Sequence, residues 1–329
     1  MRNLKLIDVE NAMVRISKYV NSTPIISSSW LNHQLGHELY FKVESFQKIG
    51  AFKARGACNT ISWLIANKQR PKHLVSNSSG NHAQAVAWAA SQFGISATIY
   101  MPVTASGIKI QATKSYGAEV VLCENRTVAD EFVEQEAKKE GVYWLPPYNH
   151  EQVISGQGTA AYEALKELGE VDAVFAPCGG GGLLSGTLIA TRGLIRKASV
   201  IGTEPLNAND AAESLRNGSI QRLFTTPNTI ADGAMTMSVG ELTFRYLKQL
   251  DDFYEVSEEQ IIYWTQWLNH LLKIRVEPTS AMTMGGVVQW LRKQKSSKKI
   301  LIILSGGNID PITELKIWKE DYLKFLPGQ

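Results

Sequence analysis

Short apolar runs alternate along this chain with longer stretches whose apolar residues recur at helical spacing. The first half has strand-like runs at 39–43, 74–76, 97–101 and 119–122. Helical patterns lie at 8–20, 54–66, 81–93, 107–116 and 127–140, and glycines at 117 and 141 provide stop signals. This alternation predicts a parallel, doubly wound α/β sheet.

The same alternation restarts after Pro146 and Pro147. It predicts strands at 171–176, 200–204 and 300–304, and helices at 158–168, 240–249, 258–273 and 281–295, with a further helix that follows the stretch 178–186 and ends at about 195. Residues 206–237 are polar and aperiodic, which predicts an irregular segment. We therefore expect two doubly wound parallel-sheet α/β domains. A small domain at 69–147 is inserted into a large one made of 1–68 and 148–329.

Composition excludes several classes of protein. The 329 residues are 44% hydrophobic and 20% charged, and the net charge of +3 gives little support to nucleic-acid binding. No apolar run is long enough for a membrane span, and the first ten residues lack the core of a signal peptide. Cys58, Cys123 and Cys178 form no CxxC pair, so neither a disulfide framework nor a zinc site is indicated. We expect a cytoplasmic protein.

A lysine lies between the first strand and its helix, in the stretch SFQKIGAFKARG at 45–56. Its neighbours are small or apolar, and a lysine that loses its charge by desolvation becomes a nucleophile towards carbonyls. Taken alone, Lys53 also fits a surface lysine at a helix start.

Four consecutive glycines follow the strand at 171–176 and precede a helix. Backbone N–H groups that have no Cβ beside them can converge on an anion at a helix start, so the run predicts a phosphate site. A tight turn is the alternative. Two rival phosphate motifs fail, because GxxxxGK[ST] is absent and Leu183 occupies the middle-glycine position of GxGxxG.

Two polar stretches follow other predicted strands, SSGNH at 78–82 and SGGN at 305–308. Hydroxyls and free amides at the first could hold a carboxylate, or its Ser and Asn could simply cap a helix. Ser305 could hydrogen-bond a ring nitrogen or cap a turn. Open α/β sheets bind ligands at the carboxyl ends of strands, and all four stretches occupy such ends.

These stretches occur in the order seen in the pyridoxal phosphate enzymes of fold type II. Within these enzymes the chain resembles the serine racemases and the serine/threonine dehydratases over nearly its whole length. The resemblance implies a large and a small α/β domain with pyridoxal 5′-phosphate in the cleft between them. It also implies a small amino-acid substrate and a homodimer.

The resemblance also implies roles for individual residues. Lys53 forms the Schiff base and, once released by substrate, moves the α-proton; Phe52 packs beside the cofactor ring. Asn81 hydrogen-bonds the ring hydroxyl and Ser305 meets the pyridine nitrogen. The phosphate is held by Gly179, Gly180, Gly181, Gly182 and Leu183. The substrate carboxylate is surrounded by Ser78, Ser79, Asn81 and His82.

The resemblance extends to two further features, an acid/base serine and a cation site, and to one arginine nearby. Ser79 matches the racemase acid/base on the ring face opposite the lysine. Glu204 and Asp210, with the carbonyl of Ala208, match a divalent-cation site that suits Mg²⁺ or Ca²⁺. Arg126 falls near an arginine associated with substrate acids. By spacing alone, the two acids also fit a solvated pair and Arg126 a surface arginine.

The expected reaction is β-elimination from small β-hydroxy amino acids, which yields a 2-oxo acid and ammonia. L-Serine, L-threonine and threo-3-hydroxyaspartate are the expected substrates, and serine racemisation in the same site is the alternative. A neutral serine opposite the ring nitrogen makes a milder electron sink, which suits loss of a β-hydroxyl. A β-replacement enzyme such as cysteine synthase and a cofactor-free binding protein are more distant alternatives.

Overall fold

Two separate β-sheets organise the computed structural model, which describes residues 3–328. The strands are β1 Ile25–Ile26, β2 Glu38–Val43, β3 His73–Asn77, β4 Ser96–Pro102, β5 Glu119–Cys123, β6 Val142–Trp144, β7 Ala173–Pro177, β8 Ser199–Pro205, β9 Asp252–Val256 and β10 Lys299–Leu304. The six-stranded sheet has the order β1-β2-β10-β7-β8-β9, and the four-stranded sheet has the order β5-β4-β3-β6.

Helices connect the strands and cover both sheets. They are α1 Leu6–Ile16, α2 Ser29–Leu35, α3 Lys53–Ala66, α4 Asn81–Gln92, α5 Gly107–Ser115, α6 Arg126–Glu136, α7 Glu151–Leu168, α8 Gly182–Leu194, α9 Asp210–Asn217, α10 Glu241–Leu247, α11 Glu258–Leu272, α12 Pro278–Leu291 and α13 Pro311–Ile317. None of these helices, within residues 3–328, has the length and apolar character to cross a membrane.

The strand pairing confirms two parallel-sheet α/β domains. Every adjacent pair of described strands is parallel except the antiparallel edge pair β1 and β2. β10 lies between β2 and β7, and its residues 300–304 are fully buried, as expected for a central parallel strand. The strands of the small sheet lie between His73 and Trp144. The predicted domain limits at 69 and 147 stay predictions.

Several predicted elements require correction. The segment 206–237 is not wholly irregular, because α9 lies within it, and two alanines are among the four residues that the short helix buries. The helix predicted at 158–168 begins seven residues earlier, at Glu151. The helix predicted at 8–20 ends at Ile16. Strands β1 and β6 and helices α2 and α13 were not predicted, because each is too short for its pattern to stand out. Strand β9 was not predicted because Asp252 and Glu255 interrupt its apolar residues.

The early start of α7 has a packing cause. A Cβ on Gly156 would lie 2.7 Å from Gly56 Cα on α3, and one on Gly158 would lie 2.7 Å from the Gly186 carbonyl oxygen on α8. These glycines let three helices approach closely, although glycine weakens a helix in isolation. Gly156 and Gly158 therefore mark places where α7 packs against other helices, and not the end of a helix.

Candidate active site

A cavity of about 410 Å³ lies where loops from the two sheets face each other. The predicted site residues in its lining are Phe52, Lys53, Ser78, Ser79, Asn81, His82, Arg126, Gly180 and Ser305. The other predicted phosphate-site residues flank Gly180 in sequence. Glu204, Ala208 and Asp210 lie outside the lining. Strand ends from both sheets thus bring the separate motifs to one place.

Lys53 is the first residue of α3 and its side chain is part-buried. Its Nζ donates a hydrogen bond to the Pro147 carbonyl at 2.7 Å and lies 5.1 Å from the Phe52 ring centroid. Burial lowers the pKa of Lys53 to about 8, although the charge of Glu277 opposes the shift. A larger share of neutral amine is therefore present near neutral pH than for an ordinary lysine.

The end of β10 holds the segment before Lys53 in place. The Phe52 amide donates to the Ser305 carbonyl at 2.9 Å, and Ala51 forms an isolated antiparallel bridge with Gly306. Ser305 is buried, and its hydroxyl lies 2.9 Å from the hydroxyl of Ser280. Lys53 and Ser305 are thereby fixed relative to each other through main-chain contacts.

The glycine run forms the turn between β7 and α8, which begins at Gly182. A Cβ on Gly180 would lie 2.2 Å from the Tyr148 ring, and Gly181 has a left-handed φ of 88°. The turn therefore requires glycine at these positions for steric and conformational reasons. Backbone amides at the start of α8 offer a concave anion site, so the residues present fit a phosphate.

The loop at 78–82 enters α4 without a side-chain cap. Gly80 is the N-cap residue and no side chain accepts a hydrogen bond from the first turn of α4. Ser78 Oγ instead accepts from the Gly80 amide at 3.3 Å. Among the described residues, no hydrogen bond involves the Ser79 hydroxyl. Helix capping therefore does not account for the two serines.

His82 is buried on the first turn of α4. Its Nε2 lies 2.9 Å from the Leu145 carbonyl, and burial with the charge of Lys53 lowers its pKa to about 3. The ring is therefore neutral, and Nε2 carries the proton because it faces a carbonyl. Nδ1 then has only a lone pair, so the side chain has no N–H for a carboxylate. The predicted carboxylate role of His82 is left to its main-chain amide.

Arg126 begins α6, and its Nη1 donates to the Met235 carbonyl at 3.1 Å. No ion pair within 4.0 Å involves Arg126 among residues 3–328. Lys109 also lines the cavity and forms an ion pair with Asp232, which raises the pKa of Lys109 although burial opposes the shift. The guanidinium is thus available to a ligand carboxylate.

The predicted cation residues lie close together behind the glycine run. Glu204 accepts hydrogen bonds from the Ala211 and Ala212 amides at 3.2 and 2.6 Å, and Thr236 donates to Asp210 Oδ1 at 3.3 Å. Each acid is only 1% exposed, which excludes a solvated pair.

Burial and the neighbouring charge of Asp210 raise the pKa of Glu204, and burial raises the pKa of Asp210 to about 7. Asp210 Oδ2 is buried without a hydrogen-bond partner. Such a pair fits a divalent cation. No group of three or more His, Cys, Asp or Glu side chains within 3–328 could hold a metal, so carbonyl oxygens would have to complete the shell.

Sequence reasoning missed several residues of the cavity. Tyr148, Lys109, Asp232 and Glu277 line it but lie outside the motifs that were assigned roles. Asn308 lies within the SGGN stretch and donates from Nδ2 to Asn81 Oδ1 at 2.8 Å. Its place in a polar stretch after a strand could have identified it. The sequence carries little signal for the other four residues, because they come from segments that lie far apart in sequence and meet only in the folded protein.

Comparison with known proteins identifies the family. Residues 16–306 match the family model described as "Pyridoxal-phosphate dependent enzyme". The chain is 44% identical to L-threo-3-hydroxyaspartate ammonia-lyase of Saccharomyces cerevisiae over 306 residues, which cover 92% of this chain and 93% of the relative. It is 42% identical to serine racemase of Schizosaccharomyces pombe over 305 residues, with 92% and 94% covered.

Solved structures give the same result. The crystal structure of serine racemase from Dictyostelium discoideum matches with a TM-score of 0.86 and 39% identity, covering 93% of this chain and 99% of that one. The maize serine racemase matches with a TM-score of 0.89 and 35% identity, with 97% and 98% covered. A threonine deaminase matches with a TM-score of 0.87 and 38% identity, with 93% and 99% covered. The chain belongs to the pyridoxal-phosphate dependent enzymes of fold type II, in the lyase and racemase branch.

Proposed function

We propose that this protein is an ammonia-lyase that eliminates water from small β-hydroxy amino acids, with L-threo-3-hydroxyaspartate as its preferred substrate. The observation that carries this proposal is Arg126, a cavity guanidinium that forms no ion pair within the described part of the chain. Arg126 is exposed, and a second carboxylate on the substrate would give its guanidinium a charged partner. The 44% identity to a hydroxyaspartate ammonia-lyase supports the same substrate.

The residues of the cavity divide the work of holding the cofactor. The amides at 179–183 would bind its phosphate, Asn81 would donate to its ring oxygen, and Ser305 would face its ring nitrogen. Phe52 would pack beside the ring. Pyridoxal phosphate supplies an electron sink that makes the substrate α-proton acidic.

The protein then supplies proton transfer and orientation. Lys53 Nζ would hold the cofactor and, once free, would take the α-proton of the substrate. Its lowered pKa suits this task, because a general base works best when its pKa lies near the working pH. Ser78, Ser79 and the amides at the start of α4 orient the α-carboxylate, and Arg126 orients the β-carboxylate.

Serine racemisation is a second candidate function. Racemisation needs a proton donor on each face of a planar carbon, and Ser79 offers a cavity hydroxyl that is in no described hydrogen bond. The 42% identity to a serine racemase supports this candidate. We further propose that Glu204, Asp210 and the Ala208 carbonyl bind Mg²⁺ or Ca²⁺ as a structural cation.

A substrate panel with one variant tests the main proposal. Formation of 2-oxo acid from L-threo-3-hydroxyaspartate, L-serine and L-threonine, with formation of D-serine, would be measured for the wild type. Arg126→Gln should lower kcat/KM for hydroxyaspartate by about 10- to 100-fold, the scale of a charge-assisted hydrogen bond, while L-serine turnover changes little.

Arg70→Gln is the matched control, because Arg70 is exposed and donates to the Phe93 carbonyl at 2.6 Å. It should leave turnover of every substrate unchanged. Equal loss on hydroxyaspartate and L-serine in Arg126→Gln would contradict the substrate assignment.

A further inference from the structure

A chain of three side chains connects the two domains beside Lys53. Asn308 Nδ2 donates to the Ile49 carbonyl at 2.8 Å and to Asn81 Oδ1 at 2.8 Å. Asn81 Nδ2 in turn lies 3.2 and 3.1 Å from the two carboxylate oxygens of Glu277. Glu277 Oε2 also accepts from the Asn308 amide at 3.1 Å, which closes the chain into a ring of contacts.

Both ends of this chain have fixed polarity. A carboxamide can usually be turned over, because its oxygen and nitrogen exchange places at little steric cost. Here the Ile49 carbonyl only accepts, so Asn308 must face it with Nδ2. At the other end, the Glu277 carboxylate only accepts, so Asn81 must also face it with Nδ2. The orientation of Asn81 is therefore determined from two sides.

Glycines of the sequence motifs make room for the same chain. A Cβ on Gly306 would lie 2.9 Å from Glu277 Oε1 and 3.0 Å from Oε2. A Cβ on Gly50 would lie 2.8 Å from Asn308 Oδ1, and the neighbouring Ile49 has a left-handed φ of 61°. Close packing against Glu277 and Asn308 thus explains why the SGGN and KIG stretches have glycine at 306 and 50.

We propose that Glu277 and Asn308 are positioning residues that hold the Asn81 carboxamide with an N–H directed at the cofactor. The inference rests on the cofactor role proposed above for Asn81. An Asn81 that presented its oxygen would instead set two acceptors against each other at an electron-rich ring oxygen. Neither Glu277 nor Asn308 needs to touch the reacting atoms.

Glu277 also makes this arrangement sensitive to pH. Burial raises the pKa of Glu277 to about 7, and the charge of Asp232 adds to the shift while Lys109 opposes it. Lys53 is the other charged group that interacts with this carboxylate. Below pH 7 the carboxyl loses its negative charge and part of its acceptor capacity, so the hydrogen bonds that it accepts from Asn81 and the Asn308 amide become weaker. Cofactor binding should weaken as the pH falls through this range.

The test is a mutant cycle on the holoenzyme. The dissociation constant for pyridoxal phosphate and the visible absorbance band would be measured between pH 5.5 and 8.5 for the wild type, Glu277→Gln, Asn81→Ala and the double variant. Glu277→Gln should weaken binding about tenfold at pH 8, the scale of one well-placed hydrogen bond, and should lose the pH step that the wild type shows. In the Asn81→Ala background the same substitution should change binding less than about twofold, because coupled residues are not additive.

Two further variants keep the test sharp. Glu314→Gln changes a partly exposed carboxylate that pairs with Arg275, and it should leave affinity and pH profile unchanged. If Glu277→Gln does not fold, Asn308→Ala breaks the chain at its other end and should give the same loss and the same dependence on Asn81. Additive effects, or an unchanged dissociation constant in a variant that folds, would overturn the inference alone. An unchanged dissociation constant in Asn81→Ala would overturn the proposed role of Asn81 as well.

Discussion

Burial shifts the pKa values of side chains around the cavity in the direction that favours their neutral forms. Burial lowers the pKa of Lys53 to about 8 and of His82 to about 3, and it raises the pKa of Glu277 to about 7. In each case removal from water disfavours the charged form. The Ser79 hydroxyl differs, because it has no charge to lose and no described partner. It is therefore free to serve a ligand.

Ser79→Ala should separate the two candidate activities. Elimination from an L-amino acid needs a base on one face only, which Lys53 supplies, whereas racemisation needs both faces. We expect D-serine formation to fall by about 10²–10⁴-fold, the usual contribution of a general acid or base, while 2-oxo acid formation from L-substrates is largely kept. Chiral analysis of the products from L- and D-serine measures both.

The matched control for Ser79→Ala is Ser91→Ala. Ser91 lies further along α4 and donates to the Trp88 carbonyl at 2.7 Å, away from the cavity. It should change neither activity. A parallel loss on L- and D-serine in Ser79→Ala would refute the two-face assignment.

At the scale of secondary-structure elements, strand-to-helix turns provide most residues of the candidate site. β3 leads into α4, β7 into α8, and β10 ends beside the start of α3. Parallel strands place all their carboxyl ends on one edge of a sheet, so loops far apart in sequence meet there. The turn after β7 is closely packed, because the Tyr148 ring lies against Gly180.

Gly180→Ala should damage this turn through overpacking. The new Cβ would lie 2.2 Å from the Tyr148 ring, so the ring or the loop must move. We expect about 1–3 kcal/mol of lost stability in the free energy of unfolding, together with weaker cofactor binding. Denaturant unfolding and cofactor titration measure the two effects.

Two companions identify the cause of the Gly180→Ala effect. Gly107→Ala adds a Cβ in open space and should cost much less. The double variant with Tyr148→Ala should lose less stability than the sum of the two single variants, because the clashing ring is gone. An effect of Gly180→Ala that is no larger than that of Gly107→Ala would mean that the loop relaxes freely.

At the scale of the whole molecule, polar contacts join the two domains around the cavity. Lys109 pairs with Asp232, Arg126 donates to the Met235 carbonyl, and Asn81 contacts Glu277. The proposed cation pair lies within the large domain. Thr236, which donates to Asp210, lies two residues after Ala234, in the loop that also contains Asp232 and Met235. A cation there would stabilise the segment that carries these contacts.

Removal of divalent cations should lower thermal stability. Glu204 and Asp210 are buried close together, and Asp210 Oδ2 has no partner, so a cation would bind the folded state and not the unfolded chain. At a free cation concentration 100 times the dissociation constant, the gain is about 2.7 kcal/mol. Thermal melting after chelation, and after Mg²⁺ or Ca²⁺ is restored, measures it.

Asp210→Asn provides the comparison for the cation experiment. It keeps the shape of the side chain but removes a charge, so melting of this variant should respond little to Mg²⁺ or Ca²⁺. An unchanged melting temperature of the wild type after rigorous chelation would show that the acids are a buried pair without a cation.

The sequence determined the architecture by its local pattern. Alternating apolar strands and amphipathic helices were sufficient for two parallel α/β domains, because buried parallel strands read as continuous apolar runs. The motifs around Lys53, Gly180 and Ser305 were also visible, because each follows such a run. Elements such as α9 and β6 were missed, since runs of eight and three residues are too short to show a clear period.

Only the tertiary structure decided which side chains act together. Glu277, Asn308 and Asn81 are separated by up to 227 positions in sequence, yet they share hydrogen bonds across the cleft. The state of His82 and the orientation of Asn81 depend on neighbouring carbonyls and carboxylates brought close by the fold. Sequence patterns record local propensity and burial. The donors and acceptors that fix the state of a site residue come from segments far away in sequence, which only the fold brings together.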